Sequence, residues 1–323
     1  MIYNKSLQGR FVSGLYTPVV LLVVALALWG CNTFVHSSVG SGEIPYYGAF
    51  SGTFLSSLLS LLLYLASFFV LRSIDLFERR LRFMPALFVL FAVALPLSDN
   101  SVCLFSLLLV MLSAALLFHS QQSKFVERTL FSAFAFLGCT SLLFPQALLL
   151  FVPFLAFLFY SNVFSVKRLL SALLGAITPF WFAFGIAYIF PTAGVLLEPF
   201  CCLSGTMFSF AFPQFSPMQL LLLAMEAMII VPAIMKFAGS SVPAKPQLRR
   251  RVMFVLVMNI YLLLLSPFMS GSLHLLFLWQ VPGLAMMFSY IISFKFNRLT
   301  NIYFILFDIL LLAITVYGVW LRL

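Results

Sequence analysis

The sequence predicts an all-α, polytopic integral membrane protein, and three observations carry that prediction. Of 323 residues, 63% are apolar and only 8% carry charge, against roughly 45–50% and about 25% in soluble domains. Mean hydropathy is +1.15, and the apolar residues gather into runs near the roughly 20 residues that cross a bilayer as helix. The 18 Lys and Arg fall between those runs. In a soluble protein a net charge of +10 would suggest a polyanion partner. Here no basic stretch is interleaved with aromatics on a soluble face, so the charge reads as an orientation signal, and nucleic acid is excluded as a partner.

Cutting the runs at charges and turn residues gives about eleven segments. The first, residues 17–34, follows the basic start at Lys5 and Arg10; the second, 53–71, stops at Arg72. The next four, 83–97, 102–118, 129–144 and 147–163, are short at about 15 to 17 residues, joined by brief links around Ser98 to Ser101 and at Pro145-Gln146. They read either as tight hairpins or as two pairs of spans cut in the wrong place. The seventh, 169–190, follows Lys167-Arg168, and the eighth, 219–235, runs up to Lys236. The last three, 252–270, 275–292 and 301–320, are separated by short links, the second of them carrying Lys295 and Arg298. No linker divides the chain, so residues 1–323 form a single transmembrane domain.

Orientation follows from the cations. With a cytoplasmic N-terminus, 17 of the 18 Lys and Arg face inward and only Arg322 falls outside. A miscounted span would send every later loop to the wrong side, so the alternation checks the count. The expected setting is a bacterial inner membrane with the C-terminus external. Two outer loops are long, 35–52 and 191–218; the second holds Pro191, Pro199, Pro213 and Pro217 among several Phe, which suits an interfacial position. Leu28-Trp29-Gly30-Cys31 loosely resembles a lipoprotein cleavage site, but Trp29 is bulky where a small residue is needed. The five cysteines act as small apolar residues, Cys201 and Cys202 being adjacent.

The eight acids sort by side. Asp75, Glu78 and Glu127 lie inside among Lys and Arg, as solvated partners. Glu43, Asp99 and Glu198 lie outside, and Glu226 and Asp308 lie in the membrane. The last two stand seven residues into their spans, about 10 Å at 1.5 Å per residue, near the midplane. A charge there costs a few kcal/mol on insertion scales and has to face protein or water. No Lys or Arg lies within any span, so these acids are expected to be protonated or hydrogen-bonded, with Asn259 and Gln280 the nearest polar partners on other spans. They read as polar glue between helices or as proton or ion coupling groups.

Glu43 sits in Gly42-Glu43-Ile44-Pro45-Tyr46-Tyr47-Gly48-Ala49-Phe50, in the first outer loop. An acid followed by a Tyr pair and small residues after the first span resembles the first-loop motif of the C superfamily of membrane glycosyltransferases. Phe136-Leu137-Gly138, Ser141 to Leu148, Lys167-Arg168-Leu169-Leu170, Gly175 and Thr178-Pro179 occur in an order similar to a recurring hairpin pattern of those enzymes. With Arg82 to Leu87 before it, the same stretch resembles an uncharacterised family of Bacteroidota polytopic inner-membrane proteins. The resemblance covers about residues 40–190. It implies that Glu43 is the general base that deprotonates an acceptor hydroxyl as a sugar leaves a polyprenyl-phosphate carrier at the outer leaflet. Asp99 or Glu198 would assist or hold a divalent metal. Two departures point to a degenerate member. The second span begins about ten residues after Glu43, and the outer side offers a phosphate only Arg322, His36 and His274.

The remaining signals are general. Lys245-Pro246-Gln247-Leu248-Arg249-Arg250-Arg251 reads as a topology anchor, with Arg249, Arg250 and Arg251 toward anionic lipid headgroups. The three histidines form no cluster. The sequence has no Gly-rich phosphate loop, Cys-x-x-Cys, His-Glu-x-x-His or Gly-x-Ser-x-Gly, which argues against ATP hydrolysis, zinc proteolysis and serine hydrolysis. No cofactor is specified. Two functions remain: a glycosyltransferase-C-like protein acting on lipid-linked sugar, or a transporter or non-enzymatic membrane scaffold using Glu226 and Asp308.

Overall fold

The computed structural model of the chain describes residues 16–38, 53–73, 84–94, 101–161, 164–189, 216–238, 246–269, 273–294 and 298–320. The regular elements among them are helices: α1 Thr17–Ser38, α2 Thr53–Ser73, α3 Met84–Ala94, α4 Ser101–Ser120, α5 Val126–Leu143, α6 Phe151–Tyr160, α7 Val166–Ile189, α8 Pro217–Ala238, α9 Pro246–Leu265, α10 Leu273–Phe294 and α11 Arg298–Trp320. A 3₁₀ turn, Pro145–Leu150, leads into α6, and another, Ser266–Phe268, follows α9. The all-α expectation is therefore met, and each apolar run of the sequence carries a helix.

Six of these stretches are long and apolar enough to cross a membrane: α4, α5, α7, α8 from Gln219, α9 with its 3₁₀ turn, and α10. Five shorter apolar helical stretches accompany them, including α3 and the Pro145–Tyr160 pair of turn and helix. Of the four short segments, the second is a full 20-residue helix, whereas the first spans only 11 residues. The surface fits a lipid setting. Trp181, Phe182 and Tyr188 on α7 are 76%, 64% and 91% exposed, and water would penalise so large an apolar face where hydrocarbon does not.

The bundle is organised around α10. Its apolar span is 94% buried, and it packs against α3, α4, α8 and α9. By contrast α7 is 28% buried and lies at the edge, joined chiefly to α5. That joint uses glycines. An added Cβ at Gly175 would stand 2.3 Å from the Phe131 carbonyl oxygen, and one at Gly138 would stand 2.6 Å from that of Ala176. Small residues let backbones meet where no hydrophobic effect drives helices together. Ser171 Oγ donates to the Glu127 carbonyl at 2.6 Å across the same joint, and Arg168 pairs with the Glu127 carboxylate at 3.5 Å. Elsewhere Phe fills the core. The Phe254 ring meets Phe118, Phe154 and Phe157 at centroid distances of 5.0 to 5.4 Å, in the tilted and edge-on geometries that aromatic quadrupoles favour.

Candidate functional site: a buried polar layer

Three helices define the site. In the last turn of α8, Lys236 Nζ donates to the carbonyl oxygens of Tyr290, at 3.3 Å, and Ile291, in the last turns of α10. Two C-terminal ends thus meet, so α8 and α10 run parallel, and the cation complements the negative end of α10. Ten residues back along each helix, about 15 Å at 1.5 Å per residue, stand Glu226 and Gln280, which therefore share one depth. The third helix, α9, packs on α10 where Gly283 has no side chain. A Cβ there would fall 2.2 Å from Asn259 Nδ2, which puts Asn259 about one turn from Gln280.

These three side chains form a buried polar layer within the bundle. Glu226 is 0% exposed, and Asn259 and Gln280 are each 1% exposed. Asn259 Nδ2 donates to the Val255 carbonyl within its own helix at 2.7 Å, leaving Oδ1 without a partner. Among the described residues, both carboxyl oxygens of Glu226 and both polar atoms of the Gln280 amide also lack a hydrogen-bond partner. The expected bonds from Glu226 to Asn259 and Gln280 are not formed, although all three groups reach the same layer. Buried polar groups are almost always satisfied, so five orphaned atoms in one layer need a reason.

Beside the layer lies an apolar cavity of about 50 Å³. Asn259 and Gly283 border it together with Met111, Phe118, Phe254 and Trp279. Trp279 is satisfied, since its Nε1 donates to Ser106 Oγ at 3.1 Å. Asn259 and Gln280 stand out in the sequence as polar residues within spans, whereas Pro282-Gly283 in mid-helix, which marks where α10 admits another helix closely, does not. Pro232 in α8 and Pro282 in α10 both interrupt the hydrogen-bond ladder within about two turns of the layer.

The other candidates are not part of this site. Asp308 is exposed on α11. It is not enclosed as a mid-membrane acid is expected to be, and no hydrogen bond among the described residues joins it to Glu226. Arg251 also departs from expectation. It is 7% exposed, donates to the Phe118 carbonyl at 3.2 Å and to Gln121 Oε1 at 3.3 Å, and so ties α9 to the end of α4 instead of reaching headgroups. Arg250 donates to the Ser161 carbonyl at 2.6 Å, while Arg249 is exposed. Glu43, Asp99 and Glu198 lie outside the described residues.

Comparison with protein-family models, curated proteins and solved structures finds no match to this chain. Fold and site together define it as a multi-spanning helical membrane protein with a buried carboxyl that bonds to none of the described residues.

Proposed function

We propose that the chain is a carrier of the bacterial inner membrane, with about eleven spans, a cytoplasmic N-terminus and an external C-terminus, and that Glu226 is its proton-exchanging group. One observation carries this reading: a carboxyl wholly enclosed at mid-depth, with neither oxygen bonded to a described residue, at the depth of two buried amides that also hold polar atoms without a described partner. As static glue between helices such a group contributes little, because glue has to be bonded. As an exchange site it has what it needs. The neutral acid suits the closed bundle, while Gln280 Nε2, an unused donor, suits the ionised form once the helices shift and water enters. Pro232 and Pro282 supply the places where α8 and α10 bend. Proton flux into liposomes holding the purified protein, under an imposed pH gradient and with a potassium ionophore clamping the voltage, tests this. Glu226→Gln is expected to lose the flux while eluting and melting like the parent; wild-type flux in that variant refutes the reading.

A second reading, a degenerate glycosyltransferase-C-like protein acting on polyprenyl-linked sugar, is supported by one contact. Gly138 meets Pro179 where α5 and α7 join, and Gly175, another residue that carries the resemblance, lies against Phe131 in the same joint. Here Glu43→Gln should accumulate donor lipid, and Glu226→Gln should not.

A further inference from the structure

The two mid-membrane acids have opposite settings, and the outward one points to a partner. Asp308 stands ten residues into the 23-residue α11, about 15 Å from its start. It is exposed, and none of the hydrogen bonds or ion pairs among the described residues uses it. Acids inside membranes almost always face the bundle interior or pair with another group, because hydrocarbon offers no solvation. Asp308 does neither within this chain.

Its neighbours form a seam. Asn301, Ile305, Asp308 and Leu312 follow one another at steps of four, three and four residues, the spacing that keeps one face of a helix toward a partner helix. Ile305 and Leu312 are 38% and 65% exposed, and among the described residues α11 packs chiefly against α8 and α3. Among the described residues no cation of this chain stands at the depth of Asp308, so a second copy offers the acid no partner there. Among the described residues the exposed cationic and His side chains, His119, Lys124, Arg128, Lys167, Arg249 and His274, lie at helix ends or in a link, far from mid-span.

We infer that the Asn301–Leu312 face of α11 docks a transmembrane helix of another protein that carries a Lys or Arg at mid-membrane depth, paired with Asp308. Charge complementarity selects this occupant. A cation in hydrocarbon has the same need as the acid, so each makes the other tolerable, and the Ile and Leu of the seam supply the packing.

The test uses the full chain in phosphatidylcholine vesicles and two labelled single-span peptides of a Leu-Ala host, one with a central Lys and one with Leu there. Energy transfer measures association. The Lys peptide is expected to bind the wild type at least about fivefold more tightly than the Leu peptide, and Asp308→Asn is expected to remove that difference. Because Asp308 is exposed, the variant should keep its elution and melting profiles. A Cys introduced by Ile305→Cys should cross-link to a Cys one turn from the peptide's Lys, and one introduced on α7 by Ile177→Cys should not. Equal binding of both peptides, Lys-peptide binding that survives Asp308→Asn, or cross-linking at both positions each overturns the proposal. So does an Asp308-dependent dimer of the chain that ignores the Lys peptide.

Discussion

If α7 is held to the bundle by glycine contacts, one added methyl at Gly175 should loosen it. The Cβ of Gly175→Ala would stand 2.3 Å from the Phe131 carbonyl oxygen, about 1.1 Å short of the 3.4 Å at which ordinary contact begins. The obstacle is backbone, so no side chain can swing away, and α7 itself has to move. Its other packing is too slight to resist, since only 28% of the span is buried. Overpacking of this kind costs about 1 to 3 kcal/mol, which corresponds to a midpoint lowered by about 2 °C or more. The assay is thermal unfolding in detergent read by a thiol-reactive dye, and Cys139 on α5, half-buried beside Gly138, reports separation of the two helices early. Gly185→Ala on the same helix is the control, because nothing lies within 4 Å of its Cβ and Ala favours helix over Gly by up to about 1 kcal/mol. The two substitutions should move the midpoint in opposite directions. A Gly175→Ala protein as stable as the parent, or a Gly185→Ala protein destabilised equally, would refute close packing as what holds α7.

Three further outcomes follow from the same geometry. Glu226→Met removes a buried unpaired carboxyl and should stabilise the protein by about 1 to 3 kcal/mol in thermal or denaturant melts while abolishing any proton flux; a destabilised variant argues that the carboxyl is bonded. Arg251→Ala strips two charge-assisted bonds from the junction of α9 and α4 and should cost about 1.5 to 3 kcal/mol, whereas Arg249→Ala should leave the melt unchanged and only weaken binding to anionic vesicles. Gly283→Ala should push the Asn259 amide off the Val255 carbonyl and cost about 1 kcal/mol. In an Asn259→Ala background the same change should be neutral or stabilising, and a double-mutant cycle measures that reversal.

What the sequence made legible was the list of helices. Charges and turn residues bracket apolar runs so cleanly that α1, α8 and α11 each begin within about three residues of the expected start. Burial within the bundle was not legible. In a soluble protein the apolar face of a helix announces which side is core, but in lipid both the packed and the exposed positions are apolar. The runs that became α7 and α10 look alike in composition, yet one is 28% and the other 94% buried. The only cues lie in exceptions to apolarity: Gly138 and Gly175, where helices touch, and Gln280 and Asn259, which an exposed helix face would not carry. Asp308 breaks that rule, which is why its outward setting was unreadable. Arg251 and Arg250 fail for a different reason, because a basic cluster at a membrane edge predicts headgroup contact for all its members, while the carbonyls of Phe118 and Ser161 outcompete lipid for these two.

The contrast between Glu226 and Asp308 says more than either acid alone. Both sit near mid-span, and both would be costly as bare charges in hydrocarbon. An enclosed acid that bonds to none of the described residues can gain a partner only through a change within the bundle. An exposed acid with no bond can be completed from outside without any internal change. The first therefore points to a moving part and the second to an assembly contact. The two are separable, since Asp308→Asn should leave proton flux intact in isolated chains while Glu226→Gln should leave helix docking intact. If either substitution disturbs both readouts, the acids belong to one coupled system, and the α8–α11 contact that links them, where Tyr303 Oη donates to the Met228 carbonyl at 3.0 Å, becomes the place to look for the connection.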